Sequence, residues 1–204
     1  MILISTMKTN YLSINKLLYF AGESMIKNKE IEFKTFITET DYKRLISEFE
    51  LENNIFSQTN FYFDTEDTKL MEEKTVLRIR QKGSNYKLTK KTRANVGADE
   101  THILISKERA EELLSNGFDA SVIGLPYYVY NIAQLTTYRA STPYKDGTLF
   151  LDKSVYYGHT DYEIEYEVDD VKQGYKDFKA FLDTYGIPYK ESIRKSKRAY
   201  DNRK

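Results

Sequence analysis

The residues best able to do chemistry in this chain are charged, and they are arranged by parity. In "KEIEFK", residues 29–34, Glu30, Glu32 and Lys34 alternate with Ile31 and Phe33. Side chains of a strand point to opposite faces in turn. One face therefore carries two carboxylates and an ammonium, and the other is apolar. The pattern recurs. "VLRIRQ" sets Arg78 and Arg80 against Leu77 and Ile79, "YKLTKK" aligns Lys87, Thr89 and Lys91, and "ETHIL" aligns Glu100 with His102. "LTTYR" pairs Thr137 with Arg139, and "LFLDKS" puts Asp152 on the face of Phe150 and Ser154. "DYEIEYEV" alternates Glu163, Glu165 and Glu167 with Ile164, Tyr166 and Val168.

For any one strand the simple reading is a half-exposed sheet with ion pairs on its wet face. Taken together the strands are ordered, with acids on the first and last and bases between. Grouped carboxylates hold a hard cation such as magnesium, manganese or calcium. Lysines and arginines grip phosphate oxygens, arginine through its bidentate fork. A dry interior packed with ions costs several kcal/mol per desolvated charge. Water, metal and a polyanion would complete it, which is the chemistry of a polyphosphate site.

The elements that must position these groups are short strands in quick succession, at residues 29–35, 58–64, 75–81, 85–91, 99–105, 133–139, 148–154 and 161–168. "KGSN" turns the third into the fourth as a hairpin, and "YYGHT" joins the last two. Three or four helices are predicted, three of them with clear signals. One opens at Thr38 and Asp41 with a stripe of Tyr42, Leu45, Ile46 and Phe49; a second runs from Ser106 to Gly117. A third, in "GYKDFKAFLDTYG", carries Tyr175, Phe178, Phe181 and Leu182 and stops at Gly186. These helix stripes need an apolar surface, and the strands' greasy faces supply it, which turns the charged faces inward. The fold class expected is α+β, an eight-stranded antiparallel β-barrel with a charged lumen and helices packed outside.

Composition narrows the rest. The 204 residues carry 31 Lys+Arg and 31 Asp+Glu, so no overall field draws nucleic acid or an anionic membrane, and neither partner is expected. The basic end "RKSKRAYDNRK" reads as a solvated helix face. No cysteine and only two histidines, His102 and His159, argue against disulfides and the usual zinc sites. His102 reads as a satisfied strand residue. No run approaches the ~20 apolar residues of a membrane helix, and a cytoplasmic protein is expected. Residues 1–24 lack a clear period, and Gly22-Glu23 can be encoded as a ribosome-binding sequence just ahead of Met25. Residues 1–24 are therefore expected to be a non-native leader or a flexible extension, with 25–204 a single domain. An intact 1–24 peptide in the native protein's mass spectrum would refute the leader.

Glu30-x-Glu32-x-Lys34 resembles the ExExK signature of the CYTH superfamily, the triphosphate tunnel metalloenzymes. "LRIR", "LTKK", "ETH", "TTYR", "LDKS", "DYEIEYE" and "KSK" follow in that family's order, covering essentially Met25 to the C-terminus. The chain is most similar to small stand-alone bacterial members, often catalogued as adenylate cyclases. The resemblance implies an eight-stranded tunnel binding a triphosphate-bearing molecule with Mg²⁺ or Mn²⁺. It places Glu30, Glu32, Asp152, Glu163 and Glu165 as metal ligands, and Lys34, Arg78, Arg80, Lys91, Arg139 and Lys197 on phosphate. Lys34, Glu32 and Glu165 take the catalytic roles. Two choices stay open: Lys90 or Lys91, with parity favouring Lys91, and Lys195 as a rival to Lys197. Lys87 and Glu167 fall at the tunnel ends. The expected activity is metal-dependent hydrolysis of a terminal phosphoanhydride, with tripolyphosphate the favoured substrate. Adenylate cyclase and a non-catalytic polyphosphate- or nucleotide-binding module are the alternatives. Monomer and homodimer are both open.

Overall fold

Strands that each bury one apolar face under helices and keep one charged face can satisfy all their edges by closing into a ring. A computed structural model describes residues 25–203 and shows that closure. The strands are β1 (Met25–Ile37), β2 (Phe56–Asp64), β3 (Val76–Lys82), β4 (Asn85–Arg93) and β5 (Ala98–Ile105). A two-residue β6 (Phe118–Asp119) precedes β7 (Tyr128–Tyr144), β8 (Gly147–Tyr156) and β9 (His159–Val168). Around the barrel the neighbours run β1, β9, β8, β7, β2, β3, β4, β5 and back to β1, while β6 pairs with the start of β7. Every pairing is antiparallel.

β1 closes the ring by changing partner midway. It pairs with β5 over Met25–Glu30 and with β9 over Ile31–Ile37. At the changeover the β4–β5 loop comes so close that a Cβ on Gly97 would lie 2.2 Å from the Glu30 carbonyl oxygen, and its φ is +69°. Only glycine meets both conditions. On β2 the register shifts between Tyr62 and Phe63, a bulge where it pairs with β7.

The helices are α1 (Glu39–Glu48), α2 (Lys69–Glu72), α3 (Lys107–Asn116), α4 (Val171–Tyr185) and α5 (Lys195–Asp201). Thr38, Ser106 and Asp170 cap α1, α3 and α4 by accepting backbone N–H bonds from Asp41, Arg109 and Gln173. α1 and α4 cover one side, packing Leu45, Phe178 and Phe181 on Leu149, Leu151, Ile164 and Tyr166. α2 and α3 cover the other, packing Leu70 and Leu113 on Leu77, Ile79, Leu88 and Ile103. The outward faces are thus the core, as the stripes required. α5 differs: its Ala199 packs with Tyr62, Leu135 and Tyr156, whose parity puts them on the lumen side. Among the described residues no helix is long and apolar enough to cross a membrane. The expectation for residues 1–24 lies outside the described residues.

Candidate active site

One wall of the lumen is acidic. Asp152 of β8 and Glu163 of β9 are cross-strand partners, and Glu165 follows two residues on, so three carboxylates share one patch. Their oxygens lie within 4.8 Å of one another. Asp152 is 0% exposed, Glu163 1% and Glu165 8%. Lys195 of α5 enters this patch and its ammonium bonds all three, at 2.7 Å to Asp152, 2.7 Å to Glu165 and closely to Glu163. Arg139 of β7 grips Asp152 through two bonds of 2.7 and 2.6 Å and reaches Glu165 as well. Arg198, one turn beyond Lys195, holds Glu163 at 2.6 Å and pairs with Asp161.

These contacts fix the charges. Burial works to raise the Glu165 carboxyl, but Lys195, Arg139 and Lys34 outweigh it and hold the group well below the usual range. Burial tends to lower the Lys195 ammonium, and the three carboxylates hold it well above its ordinary value instead. Glu163 goes up, from burial and from repulsion by Glu165 and Asp152, against the pull of Lys195 and Arg198. Three buried carboxylates converging on one point are a donor set for a hard divalent cation. The Lys195 ammonium stands where such a cation would sit. Of the five expected ligands the structure thus gathers Asp152, Glu163 and Glu165.

Glu30 and Glu32, on β1, face the same lumen and have lysine partners. Lys91 of β4 bonds Glu30 and lies 3.3 Å from Glu32, and Lys34 bonds Glu32 at 2.8 Å. The remaining wall is basic. Arg78 and Arg80 of β3 stand beside Thr89 and Lys87 of β4. Arg80 donates to the Asn60 side chain at 3.0 Å. Burial first, then repulsion from Arg78 and Arg139, pushes Arg80 down to about 9. It is a guanidinium still charged at neutral pH but short of counter-charge. Lys87 is lowered by burial first, then by Arg80 and Arg78. Phosphate oxygens would relieve both.

The structure decides between the rival lysines. Lys91 is in the lumen, while Lys90 points out, its Nζ lying beside Gly124. At the C-terminus the expectation of Lys197 is corrected to Lys195. α5 turns about 100° per residue, so Lys195 and Arg198 share a face and Lys197 looks away. Lys197 is largely exposed and pairs with Asp201 on the helix surface. Arg198 and Asn60 were missed. A second base three residues from Lys195 was a usable signal for Arg198; Asn60 had none.

A model of the CYTH domain matches residues 28–200. The chain belongs to the CYTH family. Among proteins similar to it, the Bacillus subtilis (strain 168) protein named "Putative triphosphatase YjbK" is 33% identical over 88% of this chain and 98% of its own length. A Bacillus halodurans protein of known structure, described as a "putative adenylate cyclase", is 34% identical with a TM-score of 0.77, over 84% of this chain and 97% of that one. HpAC1 from Hippeastrum, described as having a dominant triphosphatase activity, shares the CYTH barrel at 21% identity and a TM-score of 0.69, over 86% and 96% of the two chains.

Proposed function

We propose that this protein hydrolyses the terminal phosphoanhydride of a triphosphate, with inorganic tripolyphosphate the favoured substrate and Mg²⁺ or Mn²⁺ required. The observation that carries the reading is the facing of the buried trio Asp152, Glu163 and Glu165 by a wall of Arg78, Arg80 and Lys91 across one closed lumen. A divalent ion held by Asp152, Glu163 and Glu165 would supply Lewis-acid neutralisation of phosphate oxygens. Arg78, Arg80, Lys91 and Arg139 hold the phosphate chain in line, and Lys195 and Lys34 approach it from the acidic side. Glu32, kept in place by its 2.8 Å bond to Lys34, orients the water that attacks the terminal phosphorus. The bridging P–O bond breaks, and orthophosphate and pyrophosphate leave. The closed lumen shields the reaction and raises the strength of every charge contact within it.

The test is to incubate the protein with tripolyphosphate, ATP and thiamine triphosphate, each with Mg²⁺, Mn²⁺ or EDTA. Metal-dependent release of orthophosphate, fastest from tripolyphosphate, is the expected result. Cyclic AMP with pyrophosphate from ATP would replace the reading by a cyclase. Tight binding without products would make the lumen a binding module.

A further inference from the structure

Glu100, His102 and Thr89 form a buried chain on the lumen face that hydrolysis, as described, leaves without a task. Arg78, Thr89 and His102 are successive cross-strand partners on β3, β4 and β5. One rung of the barrel therefore carries a guanidinium, a hydroxyl and an imidazole side by side. His102 Nδ1 lies 3.1 Å from Thr89 Oγ1, and Nε2 lies 3.1 Å from a Glu100 oxygen. Thr89 is wholly buried, and His102 and Glu100 nearly so. The rung to one side holds Arg80 and Lys87, and the rung to the other holds Lys91 and Glu100. β1 brings no charge to this place, its partner for His102 being Ile26.

Both protonation states of the ring fit these partners without movement. The neutral ring donates from Nε2 to Glu100 and accepts at Nδ1 from the Thr89 hydroxyl. The protonated ring donates from both nitrogens, and the hydroxyl turns to accept. Burial and local charge decide between them. Arg78, Arg80, Lys87 and Lys91 surround this rung; Glu100, the carboxylate bonded to the ring, has its second oxygen 3.7 Å from Lys91 and 4.0 Å from Arg78, while Lys91 is shared with Glu30 and Glu32, and Glu167 acts on Lys87. Burial and then Lys87 hold His102 below its ordinary value, with Glu100 pulling the other way. Polyphosphate on the two arginines cancels the charge repulsion, though not the burial, that keeps the proton off.

We propose that His102 takes up a proton when the lumen binds polyphosphate, so that it is a basic residue of the anion site only while the anion is there. This rests on reading the lumen as a polyphosphate site. The empty barrel is spared one more buried cation on a crowded wall, and the filled one gains it. The sign follows: the proton is held more tightly in the bound state than in the free one. Affinity therefore rises as pH falls through the interval between the two values, and the ring adds nothing above it.

With two histidines in the chain, the titration can be read directly. The ring C–H signals of wild type are followed against pH in EDTA, where turnover is off, with and without inorganic tripolyphosphate. His159, exposed at the β8–β9 turn, is the internal reference. The His102 midpoint is expected to rise by about one unit or more on adding tripolyphosphate, and that of His159 to stay. Calorimetric titrations in buffers of different ionisation enthalpy should give fewer protons taken up per tripolyphosphate in His102→Gln than in wild type, the ligand's own protons cancelling in the difference. If that variant does not fold, His159→Gln assigns the signals and the wild-type titration decides. An unmoved His102 midpoint with tripolyphosphate bound overturns the proposal and leaves the anion site standing. No heat and no shifts at all overturn the polyphosphate reading, and the proposal with it.

Discussion

Replacing Lys195 by methionine should make the protein less stable without metal and a better metal binder. The Lys195 ammonium touches Asp152, Glu163 and Glu165, all buried, and is itself only 13% exposed at its side chain. Removing one partner from a buried ion pair costs about 3–5 kcal/mol. Arg139 and Arg198 remain on the same carboxylates, which favours the lower end. For a domain of this size, about 3 kcal/mol corresponds to a fall in Tm of roughly 6–12 °C. The same contacts must be given up when a divalent ion enters wild type. At about 1.4 kcal/mol per tenfold, their absence should tighten Mn²⁺ binding on the order of 100-fold. Scanning calorimetry in EDTA reads the first effect, and loss of the free Mn²⁺ electron-spin signal on titration reads the second. A folded variant that binds Mn²⁺ no better than wild type would refute the argument that the lysine occupies the cation's place.

Other outcomes follow from the same geometry. Glu165→Gln and Glu32→Gln should each abolish metal-dependent phosphate release while leaving the far-ultraviolet circular dichroism unchanged. Lys197→Ala should leave phosphate release intact, since its exposed pair with Asp201 is worth at most about 0.5 kcal/mol. Gly97→Ala should destabilise the barrel by about 1–3 kcal/mol, the cost of a strained backbone, and more if the 2.2 Å encounter with Glu30 cannot relax; chemical denaturation measures it.

Much of the barrel was readable because its strands alternate strictly. Parity put Glu30, Arg78, Lys91, Asp152 and Glu163 on the charged faces of their strands, and the strands taken together with the helix stripes turned those faces inward. Strand ends were less legible. β7 was expected over residues 133–139 and runs Tyr128–Tyr144, because its flanks are extended by pairing to β2 and β8 rather than by their own pattern. α2, four residues long, and α5 had no stripe to announce them. The phase of α5 was decisive, since it chooses Lys195 over Lys197, yet a seven-residue helix has too few turns to show a face. Its orientation comes from Ala199 fitting against Tyr62 and Leu135, a tertiary fact. Parity likewise says which carboxylates face inward but not which converge: Asp152, Glu163 and Glu165 do, while Glu30 and Glu32, placed with them by the family resemblance, bond Lys91 and Lys34.

The change of partner midway along β1 bears on how the molecule is made. Its first half pairs with β5, but its second half must wait for β9, which is synthesised after all the other strands. Contacts this distant in sequence slow folding, and a half-built barrel on the ribosome presents an unpaired edge together with buried-to-be carboxylates. The charges of Lys195 and Arg198 arrive later still. Completion of the ring and neutralisation of its acidic wall thus come only after every other strand has been made, and a chain stalled before them is a natural substrate for chaperones and proteases.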